Sequence, residues 1–467
     1  MNLRLTFTII ITKLLIFILR VLKHGGTSLP GKVAHKIYPD IIKVISKDFK
    51  IIMVTGTNGK TTTTRIIGKI LENNGVTYIT NKSGANLVSG VITTFINSVD
   101  ITGKSQASTA LLEVDEAAFN VVTDYVQPDI LVVTNFFRDQ LDRFGEIYST
   151  LNNVRSGIEK SPNAKLVLNA DDSLCVSLAH NSKREVVYYG FAQGACNSSE
   201  NVENSDAVYC LYCKNRYEYS YKVYGHLGAF SCPNCSYSRP SSQLTCLKVD
   251  DLNSSYSDIV FSLDSANDDN ERVSFKARIN LPGLYNIYNA LAAASLCHLL
   301  GFSVNSIIKA MESFECCFGR METLMTHGKT IKIILVKNPT GFNQVLTYLL
   351  TEKQKAQIAF IINDKPGDGT DISWLWDVDF EKLEKIQENI SVFYASGIRG
   401  EDMAVRLKYA GIYSDKITLI KDYEELLNKA LEDAQEGKIL YILPTYTAML
   451  DIRKLLNKKY GLKEFWK

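Results

Sequence analysis

Residues 55–63 read Thr-Gly-Thr-Asn-Gly-Lys-Thr-Thr-Thr and follow the apolar run Ile51–Val54. Glycines at 56 and 59 let the backbone close on phosphate oxygens that a side chain would hold off. A helix starting just beyond such a loop turns its first N–H groups toward the anion. Lys60 is spaced to reach the β- and γ-phosphates of a nucleotide, and the Thr61 hydroxyl to ligate Mg²⁺. Gly56, Thr57, Asn58, Gly59, Lys60, Thr61 and Thr62 are therefore the expected ATP cradle. A strict phosphate loop carries a further glycine five residues before Gly59, and Val54 stands there. The cradle is a shorter variant.

Four cysteines form a second constellation. Cys210-x2-Cys213 and Cys232-x2-Cys235 are separated by eighteen residues. Each knuckle brings two thiolates to one ion, and two knuckles at this separation predict a tetrahedral Zn²⁺ ribbon over about 205–240. His226 lies between them as a possible substitute ligand. The intervening RYEYSYKVYGH is basic and aromatic, which suits base stacking. The competing reading is a segment too small for its own core that zinc staples together. Its position inside a larger domain, between polar stretches at 195–206 and 249–271, favours the staple and no nucleic acid.

These residues need elements to position them. The segment after the loop, TRIIGKILENNG, repeats apolar residues at helical spacing. ALLEVDEAAF (110–119) and DILVVTN (129–135) read as strands running into polar turns. Glu113 falls at the carboxyl end of the first, where open α/β sheets hold their ligands, and could bind Mg²⁺ opposite Thr61. KLVLNADD (165–172) adds a strand whose Asp171 and Asp172 read as caps or solvated turn residues. The expected fold is α/β: a central domain over 49–322 with a parallel, doubly wound sheet, and a Rossmann-like α/β domain over 323–467. Strands of the latter are expected at IKIILV, QIAFII, ISVFYAS and KILYILP. Residues 363–381, rich in Asp and Gly just past a strand, are placed as a working loop.

At 467 residues and net charge +2, the composition describes a multi-domain protein with no general affinity for nucleic acid. The ten cysteines, outside the two knuckles, have no framework-like spacing, so a reducing cytoplasm is expected. Charge is uneven: residues 1–50 hold nine Lys/Arg against two Asp, and 249–271 hold seven acids and no Lys/Arg. Within 1–48, LRLTFTIIITKLLIFILRVL is strongly apolar. Lys13 and Arg20 interrupt it, so no charge-free run reaches the ~18 residues of a spanning helix, and no A-x-A-like cleavage site follows. Two readings stay open: a helix packed on the first domain and ending at Gly25-Gly26, or one lying in a membrane interface.

TGTNGKTTT, LLEVDE, TNFFRDQLDRFGE, LNADDS and LPGLYNIYNALAA occur in this order. Together they resemble the central domain of the Mur ligases, and most closely the MurT-like branch. Amino-acid-adding Mur ligases usually carry a His where Gln140 stands here. The resemblance implies an ATP- and Mg²⁺-dependent carbon–nitrogen ligase that activates the α-carboxylate of D-glutamate in lipid II as an acyl phosphate. Ammonia would come from a separate GatD-like glutaminase subunit, at the inner face of the cell membrane. It further implies nucleotide contacts by Asn286, Asn289 and Arg320, and a place for Asp371, in DGTDISW, beside the partner's catalytic Cys–His pair. Capping competes for both assignments: of the following helix by Asn286 and Asn289, and of a helix near Ser373 by Asp371. Asp364, Asp368 and Asp377 are nearby alternatives to Asp371. Two rival functions remain, a stand-alone ligase adding an amino acid and a zinc-ribbon ATPase that binds nucleic acid.

Overall fold

The computed structural model describes residues 3–21, 28–81, 85–138, 147–196, 206–253, 255–264, 272–314, 320–326, 328–351, 354–433 and 438–461. Gln140, Gly25 and Gly26 lie outside them. At the N-terminus, helices α1 (Leu3–Val21), α2 (Ser28–Ile37) and α3 (Ile41–Ile45) precede the first strand.

The first sheet is built from β1 (Lys50–Thr55), β2 (Tyr78–Thr80), β3 (Thr109–Glu113), β4 (Ile130–Val133), β5 (Lys165–Asn169) and β6 (Val186–Phe191). A hairpin of β7 (Glu218–Tyr224) and β8 (Leu227–Ser231) stands apart. The sheet then continues through β9 (Leu244–Leu252), β10 (Ser257–Asp264) and β11 (Arg272–Ile279), in the order β11-β10-β9-β6-β5-β4-β1-β3-β2. β2 through β6 pair in parallel, and β6 pairs with β9 in parallel. Strands β1, β3 and β4 are buried along nearly their whole length, as a sheet covered on both faces requires.

The antiparallel β9–β10–β11 extension brackets the acid-rich 249–271 stretch that reads as a polar flank, and that stretch holds the end of β9 and all of β10. Beyond Cys246, β9 alternates between partly buried and exposed positions and ends exposed. Charge on a sheet's outer strands is tolerated because one face meets water, and it discourages edge-to-edge pairing.

The chain leaves β1 for β2 and β3 on one side and returns for β4 on the other, so the carboxyl ends of β1, β3 and β4 flank a topological switch point. Helix α4 (Lys60–Asn73) starts there. Its Ile66, Ile67, Ile70 and Leu71 share one apolar core with β1, β4 and the helix Leu284–Leu299.

The second sheet has the order β12-β13-β17-β14-β15-β16, from β12 (Arg320–Thr326), β13 (Lys329–Ile334), β14 (Ala356–Ile361), β15 (Ile390–Ser396), β16 (Ile417–Leu419) and β17 (Ile439–Pro444). All neighbours are parallel except β12 and β13. Four of its six strands coincide with the apolar runs picked out above. β12 and the three-residue β16 carry too little apolar pattern to stand out.

Candidate active site

The glycine loop joins β1 to α4 at the switch point. Gly56 and Gly59 have φ of 123° and 88°, the left-handed region that disfavours side chains. Space excludes them as well: a Cβ on Gly59 would lie 2.0 Å from Asn289 Oδ1, and one on Gly56 2.3 Å from Thr134 Oγ1. Helix α4 opens on Gly59 with no side-chain cap, which leaves its amino end to an incoming anion. The donor set and the cramped cradle fit a nucleotide phosphate.

Lys60 is 8 % exposed, and its Nζ donates to Gly56 O at 2.5 Å, Thr57 O at 3.2 Å and Glu116 Oε2 at 2.6 Å. Burial alone would lower the pKa of this ammonium. The carboxylates of Glu116, Asp115 and Glu113 outweigh it and raise the pKa above the ordinary lysine value. Burial pushes the Glu116 carboxyl up, against the pull of Lys60 and Lys337. The lysine is thus kept charged and pointed back over its own loop.

Glu116 was not singled out in the sequence. The three acids of LLEVDE lie within four residues, and only the turn after β3 decides which one meets Lys60. Glu113 sits where expected, last in β3 and buried. Its backbone is held on both sides by Asn81, which accepts from Glu113 N at 2.8 Å and donates to Glu113 O at 2.7 Å.

Asn135, just past β4, is a second residue that sequence reasoning passed over. Its side-chain Oδ1 accepts from Asn58 N at 3.0 Å, its Nδ2 donates to Asn58 O at 3.1 Å, and its backbone O accepts from Thr57 N at 2.8 Å. Asn338 is a third. It caps the helix Pro339–Thr351 by accepting from Gly341 N at 2.8 Å, and donates to Asn58 Oδ1 at 3.1 Å. The second sheet's first crossover therefore reaches the glycine loop of the first. The only signal for Asn338 was its place in KNPTGFNQ beyond a strand, with Pro339 at the first helical position.

Asn286 and Asn289 do not cap their helix. Gly283 holds the N-cap position, while Asn286 Nδ2 donates to Pro282 O at 2.7 Å and Asn289 Nδ2 donates to Asn286 Oδ1 at 3.1 Å. This leaves Asn289 Oδ1 facing Gly59, 3.5 Å from Thr63 Oγ1. Arg320 begins β12, opposite Ile334, and its side chain lies outside the described residues.

Asp172 caps the helix Ser173–Ser177 as its sequence suggests, accepting from Leu174 N and Cys175 N. Asp171 corrects the reading given to it: it is fully buried, neither a cap nor solvated. It accepts from Arg239 Nε at 2.6 Å, Tyr288 OH at 2.6 Å and Phe191 N at 2.8 Å, so it ties β6 to the helix Leu284–Leu299 and the chain after β8. Burial raises its pKa against the pull of Arg239.

The sulfurs of Cys210, Cys213, Cys232 and Cys235 all lie within 4.8 Å of one another. The Cys210–Cys235 and Cys213–Cys232 separations are 3.5 and 3.3 Å. Four thiolates around one Zn²⁺ at ~2.3 Å stand about 3.8 Å apart, so the donors fit such an ion. The Asn215 amide, ahead of lesser contacts, draws the Cys213 thiol down to about 6. Cys235, despite an amide from Tyr237, is driven up to about 12 by burial and its thiol neighbours. His226 is not in the cluster. It is buried against Phe137 (4.6 Å between ring centroids), its Nε2 3.4 Å from Asp172 Oδ1.

Asp371 lies far along the chain, in the loop after β14. Its oxygens accept from Ser373 N at 2.8 Å and Ser373 Oγ at 2.9 Å, so it holds the start of the 3-10 turn Ser373–Asp377. It remains partly exposed. Its neighbours are committed otherwise: Asp368 is buried, accepting from Thr447 N at 2.6 Å, and Asp364 pairs with Arg399 at 3.1 Å. Asp377 is exposed.

Two family models match, the Mur ligase middle domain over residues 54–238 and the MurT ligase C-terminal over 335–449. The MurT subunit of a lipid II isoglutaminyl synthase from Streptococcus pneumoniae is 36 % identical over 459 residues, spanning 98 % of both chains. Its counterpart from Staphylococcus aureus is 33 % identical over 94 % of this chain and 95 % of its own. The chain belongs to the MurT family. Solved structures similar in fold include a pseudomurein peptide ligase type C from Methanothermus fervidus (TM-score 0.66, 22 % identity, 90 % of this chain and 81 % of that one). Another is MurF from Acinetobacter baumannii (TM-score 0.65, 16 % identity, 92 % and 81 %). MurT membership and these folds place the chain among Mur-type α/β ligases with parallel sheets.

Proposed function

We propose that this chain is the synthetase half of a two-subunit amidotransferase that converts the α-carboxylate of D-glutamate in lipid II to an amide. The observation that carries the reading is the buried Lys60–Glu116 pair under a glycine loop, in a chain of the MurT family. Bound ATP with Mg²⁺ supplies the phosphoryl group. The substrate carboxylate accepts it and becomes an acyl phosphate, and ammonia then displaces phosphate to leave the amide.

The chain's own residues would act as follows. Gly56 and Gly59 allow phosphate oxygens to approach the backbone, with Thr57, Asn58 and Thr62 lining the same cradle. Lys60 stabilises charge that builds on the transferred oxygens, and Glu116 keeps it protonated and aimed. Thr61 and Glu113 would hold Mg²⁺. Asn289, with Asn286 behind it, and Arg320 would contact the nucleotide. The four cysteines would hold a structural Zn²⁺ beneath the loop region, since Val176 of the capped helix packs in one small core with Cys210, Cys232 and Tyr237.

The ammonia would come from a GatD-like glutaminase. No cysteine of this sequence sits in a Gly-x-Cys-x-Gly elbow. Asp371, anchored by Ser373 and partly exposed, is suited to orient a histidine of that partner. The same loop leaves Trp376 exposed, edge-on to the exposed Tyr409 at 5.6 Å, a pair fitted to bury against a second subunit. With a lipid-linked substrate, the work would be done at the inner membrane face.

The test is an amidation assay with lipid II, ATP and the co-purified glutaminase. Amide formation from glutamine, and from ammonium salts when the glutaminase is blocked, is the expected result. Incorporation of a free amino acid in place of ammonia would instead support the stand-alone ligase.

A further inference from the structure

Among the described residues, helix α1 packs on the rest of the molecule with one face. Leu5, Thr8, Ile9, Thr12 and Ile16 are buried, and Leu5 and Ile9 join the core formed with Ala34, Ile41 and Ile45. The opposite face is apolar and open to solvent. Leu3, Phe7, Ile10, Leu14, Phe17 and Val21 are each 48–76 % exposed. Their spacing of four and three residues lines them along one side of a helix about 28 Å long. A contiguous apolar stripe of this kind marks an interaction surface.

The cations of α1 fix how the stripe is presented. The Arg4 guanidinium donates to Ile37 O at 2.8 Å, the Lys13 ammonium to Val99 O, and Arg20 Nη2 to Asn97 Oδ1 at 3.4 Å. They lie at both ends and in the middle, so the helix is tied down along its length with the stripe outward.

Charge decides what covers it. The first 39 residues contain six Lys/Arg and no Asp or Glu, and Lys32 and Lys36 of α2 are exposed. A second copy of the chain would set two acid-free, cationic segments against each other, like charge facing like. An anionic lipid surface accepts both features, acyl chains against the stripe and phosphates against the cations. No described helix is long and apolar enough to cross a membrane, so the contact is one that lies in the interface.

We propose that α1 is an interfacial membrane-docking helix that seats the enzyme on an anionic bilayer through Leu3, Phe7, Ile10, Leu14, Phe17 and Val21. The inference gives residues to the location named above and does not depend on the ligase reading.

The experiment is co-sedimentation of the full chain with vesicles of phosphatidylcholine, with or without phosphatidylglycerol, beside the triple variant Phe7→Ser/Leu14→Ser/Phe17→Ser and the double variant Lys32→Glu/Lys36→Glu. The parent is expected to sediment with the anionic vesicles, and the triple variant to lose ~10-fold or more of that binding, because three apolar side chains leave the acyl boundary. The double variant should weaken binding to anionic vesicles selectively. Unchanged melting of both variants, and unchanged nucleotide binding on the same preparations, would locate the loss in α1. Equal sedimentation of parent and triple variant would overturn the proposal. So would a dimer in solution that the triple variant dissolves while vesicle binding is absent.

Discussion

The glycine-loop centre and the Asp371 loop are two candidate sites on one chain, and they are built in opposite ways. Lys60 and Glu116 are buried and paired with each other within the chain, just beyond the ends of β1 and β3. Asp371 is partly exposed on a loop, and the bonds it accepts among the described residues come from Ser373, two residues away. A buried charge pair must be fully satisfied by its own protein, because leaving one partner alone costs several kcal/mol. An exposed carboxylate carries no such demand and can wait for a second surface. The first site is therefore suited to chemistry done by this chain, and the second to chemistry completed by another.

That contrast breaks first at Lys60. Lys60→Ala should reduce amidation on the order of 10³-fold with either glutamine or ammonium as nitrogen source, because both routes need the same activated carboxylate. Steady-state rates with both donors check it. Retained turnover would remove the glycine loop from the mechanism. Asp371→Asn should separate the donors. It keeps the shape but loses the charge that would steady a partner imidazolium, so glutamine-dependent turnover should fall on the order of 10²-fold. Ammonium-driven turnover should persist. Loss of both would reassign the 363–381 loop to the synthetase site, and loss of neither would leave Asp371 a cap alone.

The four-cysteine cluster sharpens the contrast from the stability side. It packs on the helix Ser173–Ser177, whose capping residue Asp172 also accepts from Phe136 N at 2.8 Å, close behind the glycine loop. Cys213→Ser/Cys232→Ser, or a strong chelator, should remove one zinc per chain and lower the melting temperature, since metal affinity in such a site is folding free energy. Elemental analysis alongside calorimetry tests this. A metal-free native protein with four freely alkylated thiols would refute it.

What the sequence disclosed follows distance along the chain. The glycine loop, α4, the parallel strands and the cysteine knuckles are local patterns, the longest of them running only from Cys210 to Cys235. Asp171 was misread because its partners Arg239 and Tyr288 lie 68 and 117 residues away, and an acid after a strand looks the same solvated or buried. Choosing Glu116 as the partner of Lys60 needs the turn geometry after β3, which three neighbouring acids do not encode. Strands β9–β11 were obscured by charges that belong on their open face.

The smallest effect concerns the bridge between the two halves. Asn338 is 1 % exposed, caps the helix Pro339–Thr351 and donates to Asn58 in the glycine loop. If that contact helps hold the loop ready, its loss should weaken nucleotide binding by about 1 kcal/mol, the usual worth of one hydrogen bond, or roughly 5-fold. Truncation to alanine would confuse this with a lost cap, itself worth about 1 kcal/mol of stability. Asn338→Ser keeps a capping oxygen yet is too short to reach Asn58. The serine variant should melt close to the parent while its KM for ATP rises several-fold, and the alanine variant should show both changes. Equal KM in parent and serine variant would mean that Asn338 serves only its own helix, and that the second half of the chain reaches the nucleotide site by other residues.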